Sequence, residues 1–484
     1  MNKAGKRSLL FFSLLPLLGS VSSCSSYSLP SFASGETINF TAYAGPTVAN
    51  WSGVSKNPET ITEEHYAKIK EAGFNKIIAL YEGATSDGTD LESTLTLKAS
   101  KANADAKKAL AQAEKQGLSY YVRDWSFYGM TQNGSYCLKH GVNDYSSIKS
   151  ALNYVFTEES EYLSSSSYAG NFCFDEPRYD ELSLLGDLVR AYKERMAELK
   201  VEQGEPLVNL NPVYVGGEAM GGHSYSEYLD EYIDKIGKQI GYLSYDFYPF
   251  LSTDGSYVRS MYLYNLELAA AKCKSNGLEL RTFVQSTGDS TGLRDLTSIA
   301  DYRFQIYTNL AFGSYNQTYY VYAGMSGQSE GYFGLFNLND GQYNYTYDLA
   351  KKVNNEVHAF ENVITSFSWD GVMYYNANPL YDNQNFANLS SPLASHDRVS
   401  IKTAEQDTLL TTYKGKKDGS DAFMLLNFTD PYQNSDDEVT LHFNDAKALL
   451  MYRFGQKMVV ELDKNGDYTF LLAPGEGRFI VPLR

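Results

Sequence analysis

The stretch Asn171-Phe172-Cys173-Phe174-Asp175-Glu176-Pro177 decides how this chain is read. A mainly apolar run leads straight into two adjacent carboxylates and a proline, the pattern of a buried strand that opens onto a polar mouth. Two acids in such a place suit acid–base chemistry, in which one group gives a proton to a leaving atom and a second manages the charge that develops. A surface turn or a helix start would also favour acids here, because the first helical turn attracts negative charge. The position of the strand among its neighbours separates these readings.

Upstream, apolar runs at 39–43, 76–81 and 119–125 read as strands. Between them, Thr60-Ile61-Thr62-Glu63 resembles a capping box, Tyr66 and Ile69 share a helical face, and Gly73 can end that helix. Further helices are expected over about 98–116 and 145–157, and the fourth strand over 171–174. Downstream the alternation continues with helices near 179–200, 226–236, 257–275 and 296–312, and strands at 207–210, 240–245, 280–284 and 319–322. Eight strands, each reached through a helix, imply parallel pairing and a closed (β/α)8 TIM barrel in an α/β chain, with the Asp-Glu pair on the fourth strand. An open doubly wound sheet would want a Gly-rich phosphate loop after its first strand, which is absent from the sequence. A bilobal solute-binding protein would also alternate strands with helices.

Beyond a helix expected at 345–367 the pattern changes. Short apolar runs at 423–428, 439–443, 448–454 and 458–462, and a turn plus closing strand over 472–481, read as a small all-β sandwich. The expected organisation is a signal peptide over 1–23, a flexible tether over 24–36, the barrel over 37–367 and the sandwich over 368–484.

Catalytic groups on such barrels lie at the C-terminal ends of the strands. Those ends supply Tyr43, Tyr81 with Glu82, Arg123 with Trp125, Asp175 with Glu176, Asn209 with Asn211, Asp246 with Tyr248, Gln285, and Tyr320 with Tyr322. Strand alternation sets Arg123 and Trp125 on one side, and likewise Asp246 and Tyr248. The set is polar and aromatic, with neither a lysine nucleophile nor a metal cluster. Such a set suits a sugar, which needs several polar contacts around an aromatic face. Glu330, in a glycine-rich loop after the eighth strand, is a further acid that could line the rim.

Asp175-Glu176-Pro177 at the end of the fourth strand resembles the Asn-Glu-Pro of the large clan of retaining (β/α)8 glycoside hydrolases. Tyr245-Asp246-Phe247-Tyr248-Pro249 and the run Arg303 to Gly313 resemble segments of bacterial glycosidase-like lipoproteins related to that clan. The resemblance implies a carbohydrate substrate, no cofactor, and Glu176 as general acid/base. Two departures stand out. The clan's nucleophile is a glutamate at the end of the seventh strand, where this chain has Gln285. The residue before the acid is Asp175 rather than asparagine, which is similar to β-hexosaminidases that use the substrate's own acetamido group as nucleophile. Three readings follow: Glu176 as acid with Asp246 as second carboxylate; Asp175 and Glu176 acting on an N-acetylated sugar with Tyr248 placing the acetamide; or a non-catalytic glycan- or solute-binding protein. In the first two, Tyr43, Tyr81, Arg123, Trp125, Asn211, Tyr248, Gln285 and Tyr322 form the sugar-contacting shell. Pro177 is expected to hold Glu176 extended.

Composition narrows the partners. With 41 basic and 58 acidic residues the net charge is −17, which argues against nucleic acid. Six histidines and three cysteines beyond Cys24 (Cys137, Cys173, Cys273) show neither metal-ligand spacing nor a disulfide framework. Lys3, Lys6 and Arg7 precede an apolar run from Leu9 to Leu18 and then Val21-Ser22-Ser23-Cys24. This is an export signal whose end resembles a bacterial lipoprotein signal, implying lipidation of Cys24 and display on the outer face of the cell membrane.

Overall fold

The computed structural model describes residues 27, 30, 32, 35–51, 57–83, 102–127, 142–252, 257–288, 292–325, 333–377 and 384–484. The expected export signal, Cys24, Cys137 and Glu330 lie outside the described residues, as does the side chain of Tyr81. Among the described residues no helix is long and apolar enough to cross a membrane.

Eight parallel strands form the first unit: β1 (Asn39–Tyr43), β2 (Lys76–Glu82), β3 (Ser119–Asp124), β4 (Tyr168–Asp175), β5 (Glu205–Asn209), β6 (Tyr242–Tyr245), β7 (Glu279–Gln285) and β8 (Asn316–Tyr320). They pair in the order β5-β4-β3-β2-β1-β8-β7-β6. A parallel bridge between Leu210 and Tyr245, with the Leu210 amide donating to the Ser244 carbonyl at 2.9 Å, joins the two ends into a barrel. Around it lie helices α1 (Glu63–Glu71), α2 (Asn103–Gln116), α3 (Tyr145–Val155), α4 (Leu182–Glu198), α5 (Tyr225–Tyr232), α6 (Tyr262–Asn276), α7 (Ile299–Ala311) and α8 (Tyr345–His358). The strand–helix alternation thus forms the expected (β/α)8 barrel, because the strands bury both faces and the helices mostly one, with α7 buried all round from Asp301 to Ala311.

Local differences have local causes. Thr62, not Thr60, caps α1 and accepts from the His65 amide; Thr60 is buried and exchanges hydrogen bonds with the Thr47 backbone. Strand β8 starts at Asn316, earlier than its apolar content suggests, because the buried Gln317 side chain is satisfied by Asn309 of α7 and the Ile306 carbonyl. The expected helix 345–367 stops at His358, and Phe367 already belongs to a strand of the second unit.

The second unit is a β-sandwich. One sheet contains β9 (Phe367–Tyr375), β11 (Thr408–Gly415), β12 (Asp421–Asn427), β17 (Gly477–Leu483), β14 (Ala448–Arg453) and β15 (Gln456–Glu461), paired in that order. Facing it are β10 (Val399–Thr403), β13 (Asp437–Phe443) and β16 (Asp467–Leu472). Val399, Leu410, Phe423, Val439, Leu441 and Phe470 fill the space between the sheets. The outer face of the larger sheet packs on the barrel: Phe360 stacks near Tyr452 and Phe479, and the Tyr413 hydroxyl donates to the Leu310 carbonyl at 2.6 Å. At Gly475, where φ is +65°, a side chain would meet the Ala300 carbonyl in the first turn of α7 at 2.3 Å, so glycine permits this close approach.

Inside the barrel, charge and apolar groups occupy separate levels. At the end where the strands begin, Arg281 pairs with Glu205 and Glu279 and lies on the Tyr242 ring, while Lys76 donates to Asn316. Above this plug Tyr43, Phe172 and Phe283 meet with ring centroids 6.0 Å apart, and the Arg123 guanidinium sits 4.5 Å from the Phe172 ring. The carboxylates lie at the opposite end from the plug.

Candidate active site

Strand β4 carries an irregularity that decides the site. Phe172 pairs with Leu207 and Phe174 with Val208, so one residue of β4 is extra relative to β5. A bulge of this kind inverts the side-chain alternation beyond it. Phe172 and Asp175, three residues apart and therefore on opposite faces of a regular strand, consequently both serve the barrel interior. Asp175 lies 3.9 Å from the Arg123 guanidinium and accepts a hydrogen bond from the Asn209 amide at 3.4 Å; the Tyr43 hydroxyl also supports it.

Glu176 follows in a left-handed conformation, φ +49°, rather than the extended one expected before proline. Such a backbone costs about 1–3 kcal/mol and persists only where its surroundings hold it. Here the Glu176 amide donates to the Asn209 carbonyl at 2.9 Å. The Asn211 side chain donates to the carbonyls of Glu176 and Pro177 at 2.9 and 3.0 Å, and the Tyr228 hydroxyl donates to Pro177 at 2.7 Å. The turn leaves Glu176 exposed beside two enclosed acids. Asn211, expected to touch a sugar, instead spends its amide on this turn and is buried.

Asp246 follows β6, is buried, and accepts from the Asn209 amide at 2.9 Å. One nitrogen of Asn209 thus serves a carboxylate from β4 and another from beyond β6, and the Ser244 hydroxyl fixes it by donating to its oxygen at 2.9 Å. Burial pushes the Asp246 carboxyl well above the usual carboxylate range, and the charges of Glu176 and Asp175 push it further; the Asn209 bond acts against them. Burial also raises Asp175, opposed by Arg123, Asn209 and Tyr43. The three acids share one electrostatic environment.

This has a stability consequence with a definite sign. A raised carboxyl pKa means that the folded chain keeps a proton which the unfolded chain releases, so stability falls as pH climbs from about 3.9 towards the folded value. Asp246→Asn keeps the acceptor oxygen and removes that penalty. The variant is expected to melt higher than wild type at pH 7, by about 1 °C for each kcal/mol relieved in a chain of this length, and to melt with it near pH 3. Equal melting temperatures at pH 7 would show that Asp246 is ionised in the folded chain without cost.

The expected shell divides. Tyr43 and Tyr248 each lie 5.3 Å from Tyr320, forming an aromatic arc, and the Arg123 guanidinium donates to the Tyr43 hydroxyl at 2.6 Å. Trp125 is buried in a helical turn that begins where β3 ends, so strand alternation does not relate it to Arg123. Gln285 is not a sugar contact: it is fully buried, accepts from the Phe250 amide at 3.0 Å, and donates to the carbonyls of Phe250, Thr287 and Arg294. Tyr322 is also fully buried, turned into the helix layer against Phe74 and Phe336. Glu82 faces that layer too, accepting from the Tyr120 hydroxyl at 2.9 Å, and burial raises its carboxyl well above the usual range. The hub Asn209 sits among the strand ends, but its role was not legible, since nothing in one strand tells which two others will share it.

No known family and no curated protein matches the chain. Solved structures do. The β-galactosidase of Bacillus circulans sp. alkalophilus superposes with a TM-score of 0.52 at 10% identity, over 92% of this chain and 99% of that one. An α-amylase of Geobacillus thermoleovorans aligns over 93% and 99% with a TM-score of 0.42 at 11% identity. A β-galactosidase of the psychrophilic Marinomonas ef1 gives 0.46 at 11% identity; the alignment covers 68% of this chain but 62% of that enzyme's length. The likeness to the Bacillus enzyme is one of fold: barrel and β-sandwich together.

Proposed function

We propose that this chain is a glycoside hydrolase that cleaves oligo- or polysaccharides by carboxylate acid–base catalysis. The observation that carries the reading is the Asn209 amide, which ties Asp175 and Asp246 together beside Glu176 at the mouth of the barrel. Glu176, the exposed acid, reaches the glycosidic oxygen as general acid. A sugar that covers it removes water from its carboxylate, which favours the protonated form that general-acid catalysis needs. Asp175, beside Arg123 and the Tyr43 hydroxyl, is the acid best equipped to stay negative and to meet positive charge at the sugar carbon. Tyr43, Tyr248 and Tyr320 offer the sugar an aromatic wall.

Substrate assistance by an N-acetylated sugar is a second reading, supported by the β4 bulge, which brings Asp175 to the pocket beside Glu176. The N-terminal signal supports export and attachment through a lipid on Cys24, which sets the enzyme on extracellular glycans.

The test is turnover of a panel of aryl glycosides that includes N-acetylhexosaminides, together with oligosaccharide binding. Release of the aryl group from one member supports the enzyme, and an N-acetyl requirement selects substrate assistance. Binding of oligosaccharides with no turnover of any member would make the chain a glycan-binding protein.

A further inference from the structure

Charge pairing across the molecule singles out one cation. Among the described residues, every other arginine before the C-terminal Arg484 has a carboxylate oxygen within 4 Å: Arg123, Arg178, Arg190, Arg195, Arg281, Arg294, Arg303, Arg398, Arg453 and Arg478. Arg259 has none among the described residues. In a chain with 58 acids against 41 bases, a guanidinium whose partner is an aromatic ring and not a carboxylate is notable. Arg259 is partly buried, and its backbone is fixed by donation to the Pro249 carbonyl at 2.9 Å.

Its location adds to this. The guanidinium lies 3.9 Å from the ring centroid of Tyr214, which is 40% exposed and braced edge-on by Phe247 at 5.0 Å. Tyr214 stands in the loop between β5 and α5, three residues beyond Asn211, which holds the Glu176 turn, and its ring meets Phe247, the residue after Asp246. The stacked pair therefore borders the carboxylates. A flat ring backed by a planar, weakly hydrated fork of donors matches a sugar that carries its own anionic group: the ring takes the pyranose face and the guanidinium takes a carboxylate or sulfate in two parallel bonds. A neutral sugar would make no charged contact with Arg259, and an anionic one would otherwise find only Arg123 among the acids, a guanidinium already taken up by Asp175 and the Tyr43 hydroxyl.

We propose that Tyr214 and Arg259 form a subsite beside the carboxylates that selects an anionic sugar unit, a uronate or a sulfate ester. The proposal rests on the glycosidase reading for the placement of the subsite, but its test does not need turnover. The full chain is titrated calorimetrically with oligogalacturonate, oligoglucuronate, sulfated galacto-oligosaccharides and neutral xylo- and galacto-oligosaccharides at low and high salt, with products analysed in the same samples. At least one anionic series is expected to bind ten times or more tighter than its neutral counterpart at low salt. Arg259→Gln should erase that margin, Arg259→Lys should restore part of it, and Tyr214→Ala should weaken neutral and anionic members alike. The arm that binds tells carboxylate from sulfate. No binding by any anionic series, an affinity no better than that of neutral sugars, or a margin unchanged in Arg259→Gln would overturn it. Thermal melting of each variant shows that the fold is intact. Binding without products would count against the hydrolase and leave the subsite standing; products without an anionic preference would do the reverse.

Discussion

Glu176→Gln is expected to cost about 10²–10⁴-fold in kcat/KM on glycosides with poor leaving groups, the range of a lost general acid and roughly 3–5 kcal/mol of barrier. The swap is close to isosteric, and the turn that carries it is held by backbone carbonyls and amides that the substitution leaves in place. The loss should shrink as the leaving group becomes more acidic, because a good leaving group departs without the proton. A uniform loss across the leaving-group series would instead make Glu176 the group that attacks or stabilises the sugar carbon. An unchanged rate on every substrate would remove it from the chemistry.

The second large effect concerns stability. Arg303 of α7 and Glu356 of α8 form a buried pair with a 3.0 Å contact from Nε and a second from Nη2 at 2.6 Å, and the Phe454 ring of the sandwich covers the guanidinium at 3.9 Å. A Cβ on Gly455 would come within 3.2 Å of Glu356 Cα, so the β14–β15 turn is seated closely on this pair. Glu356→Ala leaves a guanidinium enclosed and unpaired, and breaking such a pair costs about 3–5 kcal/mol. Denaturant unfolding should show that loss in the single variant and recover most of it in Glu356→Leu with Arg303→Met, where neither charge remains. A single variant within 1 kcal/mol of wild type would mean that water reaches the guanidinium and the docking does not depend on the pair.

The barrel was legible because its strands are two-sided apolar runs alternating with one-sided helices, and that alternation survives errors of a few residues at each end. The sandwich was harder to read. Strand β11, Thr408-Leu409-Leu410-Thr411-Thr412-Tyr413, is buried on both faces, with Leu409 and Tyr413 in the barrel-side core and Leu410 between the sheets, so it lacks the polar–apolar alternation that marks a strand with one wet face. At the site, Asp175, Glu176 and Asp246 could be named from their places at strand ends. The geometry that joins them could not. A bulge at Phe172–Phe174 and a left-handed Glu176 before a proline both run against local preference, and both are held by contacts from β5 and α5. Tyr214 and Arg259 were invisible for a related reason: they sit in loops, where spacing carries no information about which residues meet.

Gln285 shows how hard it would be for descent to move this site back towards the common two-glutamate plan. A single-base change can turn glutamine into glutamate, so the path looks short. Yet the Gln285 amide faces three carbonyl oxygens and fastens two connecting segments, at 250 and 287–294, to the end of β7. A carboxylate there would point acceptor at acceptor with no water to relieve it. The surrounding loops would have to be rebuilt first, and each step would loosen the barrel rim before any chemistry was gained. A lineage carrying this lock is confined to the acids it already has on β4 and beyond β6. Diversity in its relatives should then appear around those acids and in the rim that meets the sugar, while the end of β7 stays fixed.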